Sequence, residues 1–236
     1  MLIRRKLLKK YFQISEDNGL LKLRYRKGKN PIFVDKRFQL NEDSASLAGL
    51  MPDGSLIKDL RRIYFHQKKD IRKIYLFKNT ILKLFRPKNK IFIRDNRGTI
   101  DIFINSQTLA MFFYKILKIP KSDEQMRVPN WIFRSPKKVK IAYLKQAFDM
   151  EATINKGLSD IRFITKDYNF AVDIRRLLKQ VGVTSFVKNR IGGTYNTLQY
   201  QVCIYKKENF SKFKKIGFSI KFNKDRFQKM VKKYNI

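Results

Sequence analysis

Hydrophobic and polar residues alternate along this chain with two kinds of period, which together predict an α+β protein. Leu21-Lys22-Leu23-Arg24 alternates with period two, which predicts a strand with one cationic face. From residue 70 to 86, apolar residues recur every three or four positions, which predicts an amphipathic helix. Further helices are predicted at residues 44–51, 106–118, 138–148, 168–180, 208–215 and 223–234. Further strands are predicted at residues 60–67, 90–94, 99–105, 161–165, 185–191 and 198–205, the last two joined by a turn at Gly192-Gly193.

The predicted elements occur twice in the same order, which indicates an internal duplication. A short apolar helix follows the N-cap residues Asn41 to Ser44 and stops before Asp53, and a longer helix starts near Lys138 and ends near Glu151. A similar length of chain follows each helix, enough for a helix–strand–strand–helix–strand–strand–helix unit. We therefore expect an N-terminal basic extension, a first repeat, a linker and a second repeat, at residues 1–43, 44–125, 126–137 and 138–236.

The balance of charges points to a polyanionic partner. The 236 residues include 54 Lys and Arg against 19 Asp and Glu, a formal net charge of +35. Hydrophobic residues make up 43% of the chain, so the charge belongs to a body that can form a core rather than to a disordered tail. A compact body with this charge repels itself and attracts polyanions. Nucleic acid is the expected partner, ahead of an anionic membrane surface or an acidic protein.

Cysteine and histidine usage excludes several kinds of site. One Cys excludes a disulfide framework and a Cys-based zinc site, and one His excludes multi-His metal sites and argues against a Ser-His-Asp triad. We interpret Cys203 as a small strand residue and His66 as a polar strand residue. No apolar run approaches the roughly 20 residues of a membrane span, and no apolar signal core follows the basic N-terminus. The expectation is a cytoplasmic protein, with an organelle as the open alternative, that does not enter a membrane.

Two segments share a pattern with a known protein family. The first runs from Leu47 to Leu56 (Leu-Ala-Gly-Leu-Met-Pro-Asp-Gly-Ser-Leu), and the second from Leu144 to Ala152 (Leu-Lys-Gln-Ala-Phe-Asp-Met-Glu-Ala). They resemble the paired signature of the LAGLIDADG homing endonucleases. The segments from Arg127 to Pro136 and from Ile216 to Lys221 also resemble that family, so the resemblance extends over roughly residues 30–236.

The resemblance implies a fold, an activity and a partner. The fold is a duplicated αββαββα fold of the α+β class with a pseudo-two-fold axis, in which two antiparallel sheets form a DNA-binding saddle. The activity is metal-dependent cleavage of double-stranded DNA at a long asymmetric site, with a staggered cut that leaves 3′ overhangs. Two motifs in one chain imply a monomer. The chain lacks an N-terminal Cys or Ser and a terminal His-Asn pair, so we expect a free-standing, intron-encoded enzyme.

The two motif acids, Asp53 and Glu151, are the predicted metal ligands. Each carboxylate follows the C-terminal end of a helix, where the helix dipole is negative, and two such acids close together repel each other. A divalent cation relieves both effects, and hard oxygen donors in a chain with one His and one Cys favour Mg²⁺. The resemblance makes Lys221 a catalytic residue that supports the charged transition state. Its counterpart in the first half is Lys118 or Lys121.

The first motif departs from the family pattern. It is one residue shorter before Asp53, and Pro52 disfavours a helical residue ahead of it. We therefore expect the helix to end early, so that Asp53 lies in a turn, and Gly54 to bring the carboxylate back by adopting φ > 0. In the second motif Asp149 precedes Glu151 by two residues and is an alternative ligand.

Alternating residues on the predicted strands define the expected DNA-binding faces. In the first half Ile63 and Phe65 are expected to point inward, and the predicted DNA-binding residues are Arg62, Tyr64, His66, Lys90 and Arg94. Those of the second half are Lys188, Arg190, Gln199, Gln201 and Tyr205, with Leu198, Tyr200, Val202 and Ile204 expected to point inward. Arg and Gln suit bidentate recognition of guanine and adenine, and the lysines suit phosphates.

Two other classes of function are compatible with these features. A catalytically inactive relative would act as a DNA-binding protein, or as an RNA-binding splicing cofactor (a maturase). A basic structural protein of the nucleoid or the ribosome would share the charge, but it has no use for matched acids at two helix ends. Cleavage of DNA in the presence of Mg²⁺ separates the nuclease from both.

Overall fold

The computed structural model describes residues 1–26, 30–68, 70–96, 98–192 and 197–236. These residues fall into two units, Met1–Glu124 and Gln125–Ile236, each with its own antiparallel sheet of four strands. No helix within the described ranges is long and apolar enough to cross a membrane. The expected turn at Gly192-Gly193 falls at the edge of the described residues, since Gly192 belongs to a strand and Gly193 lies outside them.

The first unit begins with a small antiparallel sheet. Its elements are α1 (Arg5–Lys9), β1 (Gln13–Asp17), β2 (Leu20–Arg24) and β3 (Ile32–Asp35), and the strand order is β1-β2-β3. In β2, Leu21 and Leu23 are buried, whereas Lys22 and Arg24 are half-buried on the other face. The predicted strand with one cationic face is confirmed, and the N-terminal residues that hold it are folded into the first unit.

Thr108 joins this small sheet to the rest of the first unit. Its hydroxyl oxygen accepts a hydrogen bond from the backbone N–H of Tyr25 at 3.3 Å and donates one to the carbonyl of Asn30 at 3.0 Å. Thr108 itself is 1% exposed. Because both bonds reach the ends of neighbouring strands, the small sheet is fixed to the helix that carries Thr108.

The main sheet of the first unit has one apolar face covered by a helix. The elements after β3 are α2 (Glu42–Leu50), β4 (Gly54–Leu56), β5 (Ile63–Gln67), α3 (Ile71–Phe85), β6 (Ile91–Asn96), β7 (Thr99–Ile104) and α4 (Gln107–Phe112), with a π-helical turn at Phe113–Leu117. The strand order is β4-β5-β7-β6. Ile63 and Phe65 are fully buried, as predicted, and Phe65 stacks on Phe77 of α3 with ring centroids 4.8 Å apart. The opposite face of the sheet carries the polar residues.

The second unit repeats this arrangement. Its elements are α5 (Asn130–Phe133), α6 (Lys137–Glu151), β8 (Ala152–Ile154), β9 (Ile161–Thr165), α7 (Tyr168–Gln180), β10 (Phe186–Gly192), β11 (Thr197–Ile204), α8 (Lys207–Phe213) and α9 (Lys221–Tyr234). The strand order is β10-β11-β9-β8. Phe163 of β9 meets Phe170 of α7 edge to face at 5.5 Å, so α7 covers this sheet as α3 covers the first.

The two main sheets share topology and register, as the expected duplication requires. In each, the strands lie in the order first, second, fourth, third. The residues paired across the first sheet in one row are Gly54, Phe65, Ile102 and Ile93, and those in the matching row of the second sheet are Ala152, Phe163, Val202 and Val187. Paired residues point to the same face, so every other position on the two sheets can be matched by counting from these rows.

Two details of the strands differ from the prediction. β5 begins at Ile63 rather than at Leu60, because Leu60 has a left-handed backbone (φ +57) within the preceding turn. Leu198 was expected to point inward but is 49% exposed, and its partner Ile191 is 70% exposed. The paired residues Ile191 and Leu198 therefore lie beyond the apolar core that α7 covers.

A buried acid, Asp173, holds the segment before α6 against α7. Asp173 of α7 is 5% exposed and accepts two hydrogen bonds from Arg127, from Nε at 2.6 Å and Nη2 at 3.1 Å. It also accepts the backbone N–H of Val128 at 3.2 Å. These contacts hold the pKa of the Arg127 guanidinium above its ordinary value. A single carboxylate thus orders the entry to α6.

Replacing this carboxylate tests how much the contact stabilises the second unit. Asp173→Asn keeps the side-chain volume but removes the charge, so we expect the free energy of unfolding to fall by about 1–3 kcal/mol. Chemical denaturation measures the change. Asp225→Asn is the matched control, because Asp225 pairs with Lys221 on an exposed helix surface and such pairs contribute about 0–1 kcal/mol. Equal losses in the two variants would contradict the structural role of Asp173.

Candidate active centre and nucleic-acid interface

In the first unit the motif acid lies at a short junction between a helix and a strand. α2 ends at Leu50, and Met51–Asp53 form a single 3₁₀ turn before β4 begins at Gly54. The prediction that the helix ends early and that Asp53 lies in a turn is confirmed. Gln67 of β5 donates from Nε2 to Asp53 Oδ2 at 3.3 Å, so the neighbouring strand helps to orient the carboxylate.

Gly54 serves this junction in a different way from the one expected. Its φ is −124°, which is ordinary extended backbone, so the expected positive φ is wrong. A Cβ on Gly54 would instead lie 3.0 Å from Met51 Cε and 3.0 Å from the carbonyl oxygen of Tyr64. Gly suits this position because a Cβ would make tight contacts with both the turn and the backbone of β5, so a larger residue would require these neighbours to shift.

In the second unit the junction has no intervening turn. α6 runs through Glu151, and β8 begins at Ala152. Glu151 is half-buried, and Ala152 pairs with Phe163 just as Gly54 pairs with Phe65 in the first unit. Asp53 and Glu151 are therefore equivalent in the two units, although one ends a 3₁₀ turn and the other ends an α-helix.

Asp149 has a structural role in the second unit. It is 3% exposed and accepts hydrogen bonds from the backbone N–H of Ser219 at 2.9 Å and of Ile220 at 3.3 Å. The Ser219 hydroxyl also donates to it. Ile220 is the N-cap of α9, so the carboxylate lies at the positive end of that helix. This arrangement favours Glu151 over the alternative ligand Asp149.

The first turn of α9 carries two polar residues, Lys221 and Asn223, and Asn223 contacts the second junction. Lys221, predicted to support the charged transition state, is the first residue of α9, and its Nζ pairs with Asp225 at 2.6 Å on an exposed surface. Asn223 donates from Nδ2 to the carbonyl of Ala152 at 2.8 Å. Its Oδ1 is buried and has no hydrogen-bond partner among the described residues. Asn223 thus fixes the strand end next to Glu151, a role the sequence did not indicate.

The possible counterparts of Lys221 in the first half have different surroundings. Lys118 ends the π-helical turn with a left-handed backbone (φ 60) and is exposed. Lys121 pairs with Leu56 through an isolated β-bridge and forms an ion pair with Glu124 at 3.2 Å. Lys121 is therefore tied to β4, the strand that follows Asp53.

The five predicted DNA-binding residues of the first unit lie on one face of its sheet. Tyr64, His66 and Arg94 occupy alternate positions on β5 and β6, opposite to the face that α3 covers. Arg62 lies just before β5, and its guanidinium lies 4.9 Å from the Phe103 ring centroid. Lys90 precedes β6, and its Nζ lies over the ring of Phe92 on the same face. Further residues of this face are Phe92, Asn96, Thr99, Asp101 and Phe103.

The five predicted residues of the second unit also share one face. Lys188 pairs directly with Gln201, and Arg190 pairs directly with Gln199. Tyr205 follows β11, and its ring centroid lies 5.2 Å from Lys188 Nζ. Contact with the Tyr205 hydroxyl raises the pKa of Lys188, so this cation stays charged. Gln201 is only 7% exposed, so it is more enclosed than a freely accessible base-reading residue.

Aromatic rings and cations alternate on the exposed face of the first sheet. Phe92 and Phe103 stack with centroids 5.0 Å apart, and Lys90 Nζ lies 5.4 Å from the Phe92 centroid. Arg62 also donates from Nε to Asn105 Oδ1 at 2.7 Å. The rings lie against the cationic groups, and a face of this chemistry is able to contact phosphates and base edges.

Comparison with known families agrees with this architecture. Residues 138–217 match the family model described as a LAGLIDADG-like domain. The chain carries a LAGLIDADG-like domain. The matched residues include α6 and its acid, the second main sheet and α8, and the first unit repeats the same sheet register. The duplicated LAGLIDADG fold expected from the two motifs is therefore the fold of this chain.

Solved structures share this LAGLIDADG fold. I-DmoI in complex with DNA and Ca is 18% identical, with a TM-score of 0.58 over 81% of this chain and 100% of that chain. I-DmoI in complex with DNA and Mn is 19% identical, with a TM-score of 0.56 over 75% of this chain and 97% of that chain. Full-length DUF199/WhiA from Thermotoga maritima is 13% identical, with a TM-score of 0.53 over 84% of this chain and 62% of that chain. At these identities the likeness establishes the fold.

Curated relatives match over small parts of long proteins. A probable translation initiation factor IF-2 of Methanocaldococcus jannaschii is 28% identical over 138 residues, 56% of this chain and 12% of that protein. A replication factor C small subunit of the same organism is 29% identical over 183 residues, 76% of this chain and 10% of that protein. A DNA polymerase of Thermococcus sp. (strain GE8) is 29% identical over 126 residues, 50% of this chain and 7% of that protein. The chain thus corresponds to about a tenth of the length of these relatives.

The two acids of the second motif can be distinguished by experiment. Asp149→Asn loses a carboxylate that holds the start of α9, so we expect the free energy of unfolding to fall by about 2–3 kcal/mol. Glu208→Gln, at an exposed position on α8, is the control and should change it by less than about 0.5 kcal/mol. Chemical denaturation measures both. An unchanged stability of Asp149→Asn together with lost DNA cleavage would make Asp149 the ligand instead of Glu151.

Proposed function

We propose that this chain is a site-specific endonuclease that cuts double-stranded DNA with the help of a divalent cation. The observation that carries the proposal is the pair of equivalent junctions. Each unit ends a motif helix or turn on an acid, Asp53 or Glu151, and passes directly into the first strand of a sheet. The exposed face of each sheet carries cations and groups that recognise bases.

The basic faces support DNA as the substrate. Their cations belong to a chain with a net charge of +35, and they alternate with aromatic and amide groups. Solved I-DmoI structures with this fold contain DNA. The two faces differ, with Arg, Tyr and His in the first unit and Lys, Arg and Gln in the second. Two unlike faces in one chain suit an asymmetric site and do not require a second copy of the chain.

The curated relatives support an enzyme encoded by a mobile element. Similar segments occur in proteins named for translation initiation, clamp loading and DNA synthesis, and they make up 12%, 10% and 7% of those proteins. A segment shared by proteins with unrelated functions behaves as an insertion that moves between genes. Cleavage of one DNA site is the activity that such movement needs. Whether this chain is encoded within an intron or inside a longer protein does not alter the proposed chemistry.

The residues present fit a divalent cation. Mg²⁺ is usually held by one or two carboxylates together with phosphate oxygens and waters. Among the described residues there is no group of three or more His, Cys, Asp and Glu side chains that could hold a metal, so DNA phosphates would complete the coordination. Asp53 in the first unit and Glu151 in the second are the carboxylates that would hold divalent cations. Asn223 Oδ1, which is buried and has no hydrogen-bond partner among the described residues, lies in the residue that contacts the second junction. I-DmoI structures contain Ca or Mn, and Mg²⁺ is the ion we propose here.

The chain's own residues have distinct tasks in this reaction. A bound divalent cation supplies activation of water and stabilisation of the leaving oxygen of the phosphodiester. Gln67 orients the Asp53 carboxylate through its hydrogen bond, and Asn223 fixes the backbone after Glu151. Lys221, which pairs with Asp225 in the free protein, would release Asp225 and stabilise the negative charge of the transition state. The sheet faces bind the duplex and fix which phosphodiester meets the acids.

A DNA-binding protein without cleavage is the second candidate. It is favoured by the first motif, where Asp53 follows a 3₁₀ turn instead of a full α-helix. Phosphoryl transfer tolerates little displacement, since an error near 1 Å can cost about 100-fold in rate. The same DNA-binding experiments serve both candidates, and cleavage separates them.

Substitution of the two acids tests the nuclease directly. A duplex selected by the wild-type protein from a randomised pool is cloned into a supercoiled plasmid and incubated with Mg²⁺. Asp53→Asn and Glu151→Gln should each lower double-strand cleavage on the order of 100-fold or more, because each removes a charged metal ligand. DNA affinity should stay within a few-fold, because the sheet faces supply it.

The exposed acid Glu208 provides the control for this experiment. Glu208→Gln removes the same charge from an exposed position on α8, outside the two junctions, and should cut at the wild-type rate. Undiminished cutting by Asp53→Asn or Glu151→Gln would assign the chemistry to other residues. A wild-type protein that binds the selected duplex and cuts neither strand would favour the second candidate.

The salt dependence of binding tests the proposed interface. Each Lys or Arg that neutralises a phosphate releases counterions, so log K should fall with log salt by about 0.9 per phosphate contact. We expect log K to fall with log salt with a slope of roughly −5 or steeper, measured by fluorescence anisotropy on the selected duplex. Lys90→Ala should make the slope shallower by about 1 if Lys90 binds a phosphate. A nearly flat dependence would rule out the two basic faces as the DNA-binding surface.

A further inference from the structure

A buried acid lies in the middle of the cationic face of the first sheet. Asp101 of β7 is 1% exposed and pairs in register with His66 on one side and Arg94 on the other. A negative charge here weakens attraction to DNA, and the chain has only 19 acids in total. Its position therefore calls for a specific use.

Three neighbouring side chains donate hydrogen bonds to Asp101. Asn96 donates from Nδ2 at 3.2 Å and Arg94 from Nη2 at 3.4 Å, both to Oδ2. The Tyr64 hydroxyl also donates to the carboxylate. Burial alone raises the pKa of Asp101, but the three donors outweigh it and hold the pKa below its ordinary value. The same three donors stabilise the ionised form of the carboxylate.

The contact fixes the direction of a long and otherwise mobile side chain. The Arg94 side chain is 62% exposed, so its guanidinium is accessible to a ligand while one of its nitrogens is held by Asp101. Arginine loses much conformational entropy when it is ordered, and a contact formed before binding lowers that cost. The N–H groups of Arg94 that do not face Asp101 can donate to O6 and N7 of guanine.

We propose that Asp101 is a positioning residue that orients Arg94 to recognise one guanine in the DNA site, with Tyr64 and Asn96 completing the hydrogen-bonded cluster. The inference rests on the proposed function, because it names the base that the first sheet selects. Asp101 itself does not touch DNA, since it is enclosed by its three donors.

The second unit offers a natural comparison. Counting from the matching rows, Gln201 occupies the place of Asp101, and Lys188 occupies that of Arg94. The second sheet thus places an amide beside a lysine where the first places a carboxylate beside an arginine. The contact between a buried carboxylate and an arginine at this position belongs to the first unit. Its effect should therefore be confined to one part of the DNA site.

The experiment is selection of binding sequences from a randomised duplex pool, without added metal so that no duplex is cut. Wild-type protein should select a guanine at one position that Arg94→Ala selects about 5-fold to 100-fold less strongly, the range for a bidentate Arg–guanine contact. Asp101→Asn should weaken selection of the same guanine by about 5-fold or more. Its affinity for unselected duplex should stay equal or rise, because a negative charge has been removed.

Three variants separate positioning from a general loss of structure. In the Arg94→Ala background, Asp101→Asn should cause no further loss at that guanine, because the two changes act through one contact. Tyr64→Phe removes one donor and should cause a smaller loss at the same position. Gln201→Ala, the matched change in the second unit, should alter selection at a different position and leave this guanine unchanged.

Several results would overturn the proposal. Asp101→Asn that keeps full guanine selection, or that loses selection equally along the whole site, excludes a positioning role. If Asp101→Asn does not fold, as thermal melting would show, the exposed Arg94→Ala carries the test, and unchanged selection by that variant overturns the proposal. A wild-type protein that selects no sequence removes the proposed function as well, and this outcome is recognised before any variant is made.

Discussion

Each unit of this protein depends on a junction where an acid ends one element and the next residue begins a strand. In the second unit α6 passes into β8 between Glu151 and Ala152, and in the first a 3₁₀ turn passes into β4 between Asp53 and Gly54. The carboxylate is therefore held by a helix or turn on one side and by a paired strand on the other. The backbone that carries it is thus fixed by the sheet register.

The register in turn decides which residues face the solvent. Side chains alternate along a strand, so a shift by one residue would exchange the apolar face for the polar face. Both main sheets keep the same register, yet their exposed faces differ in chemistry. The matched positions, first unit before second, are Tyr64 and Arg162, His66 and Ile164, Asp101 and Gln201, and Arg94 and Lys188. Duplication preserved the scaffold and left the faces free to diverge.

Much of this fold could be predicted from the sequence because its longer elements have clear periods. α7 and β9 have the predicted bounds, whereas β4 and β8 were not located, since three residues are too few to show a period. The early end of α2 followed from the local effect of Pro52. The need for a small residue at Gly54 could not be predicted in this way. It depends on the close approach of β5, a contact between residues that are distant in the sequence.

The roles of the acids were the least predictable feature, because each depends on a distant partner. In a chain with 54 basic residues, a buried acid is stable only where donors surround it. Asp149 meets the N–H groups that start α9, and Asp173 meets Arg127. Asp101 meets Arg94 across a sheet, so the same physical need that buries an acid also orders a cation. Two of these scarce acids, Asp173 and Asp101, therefore also order a neighbouring arginine.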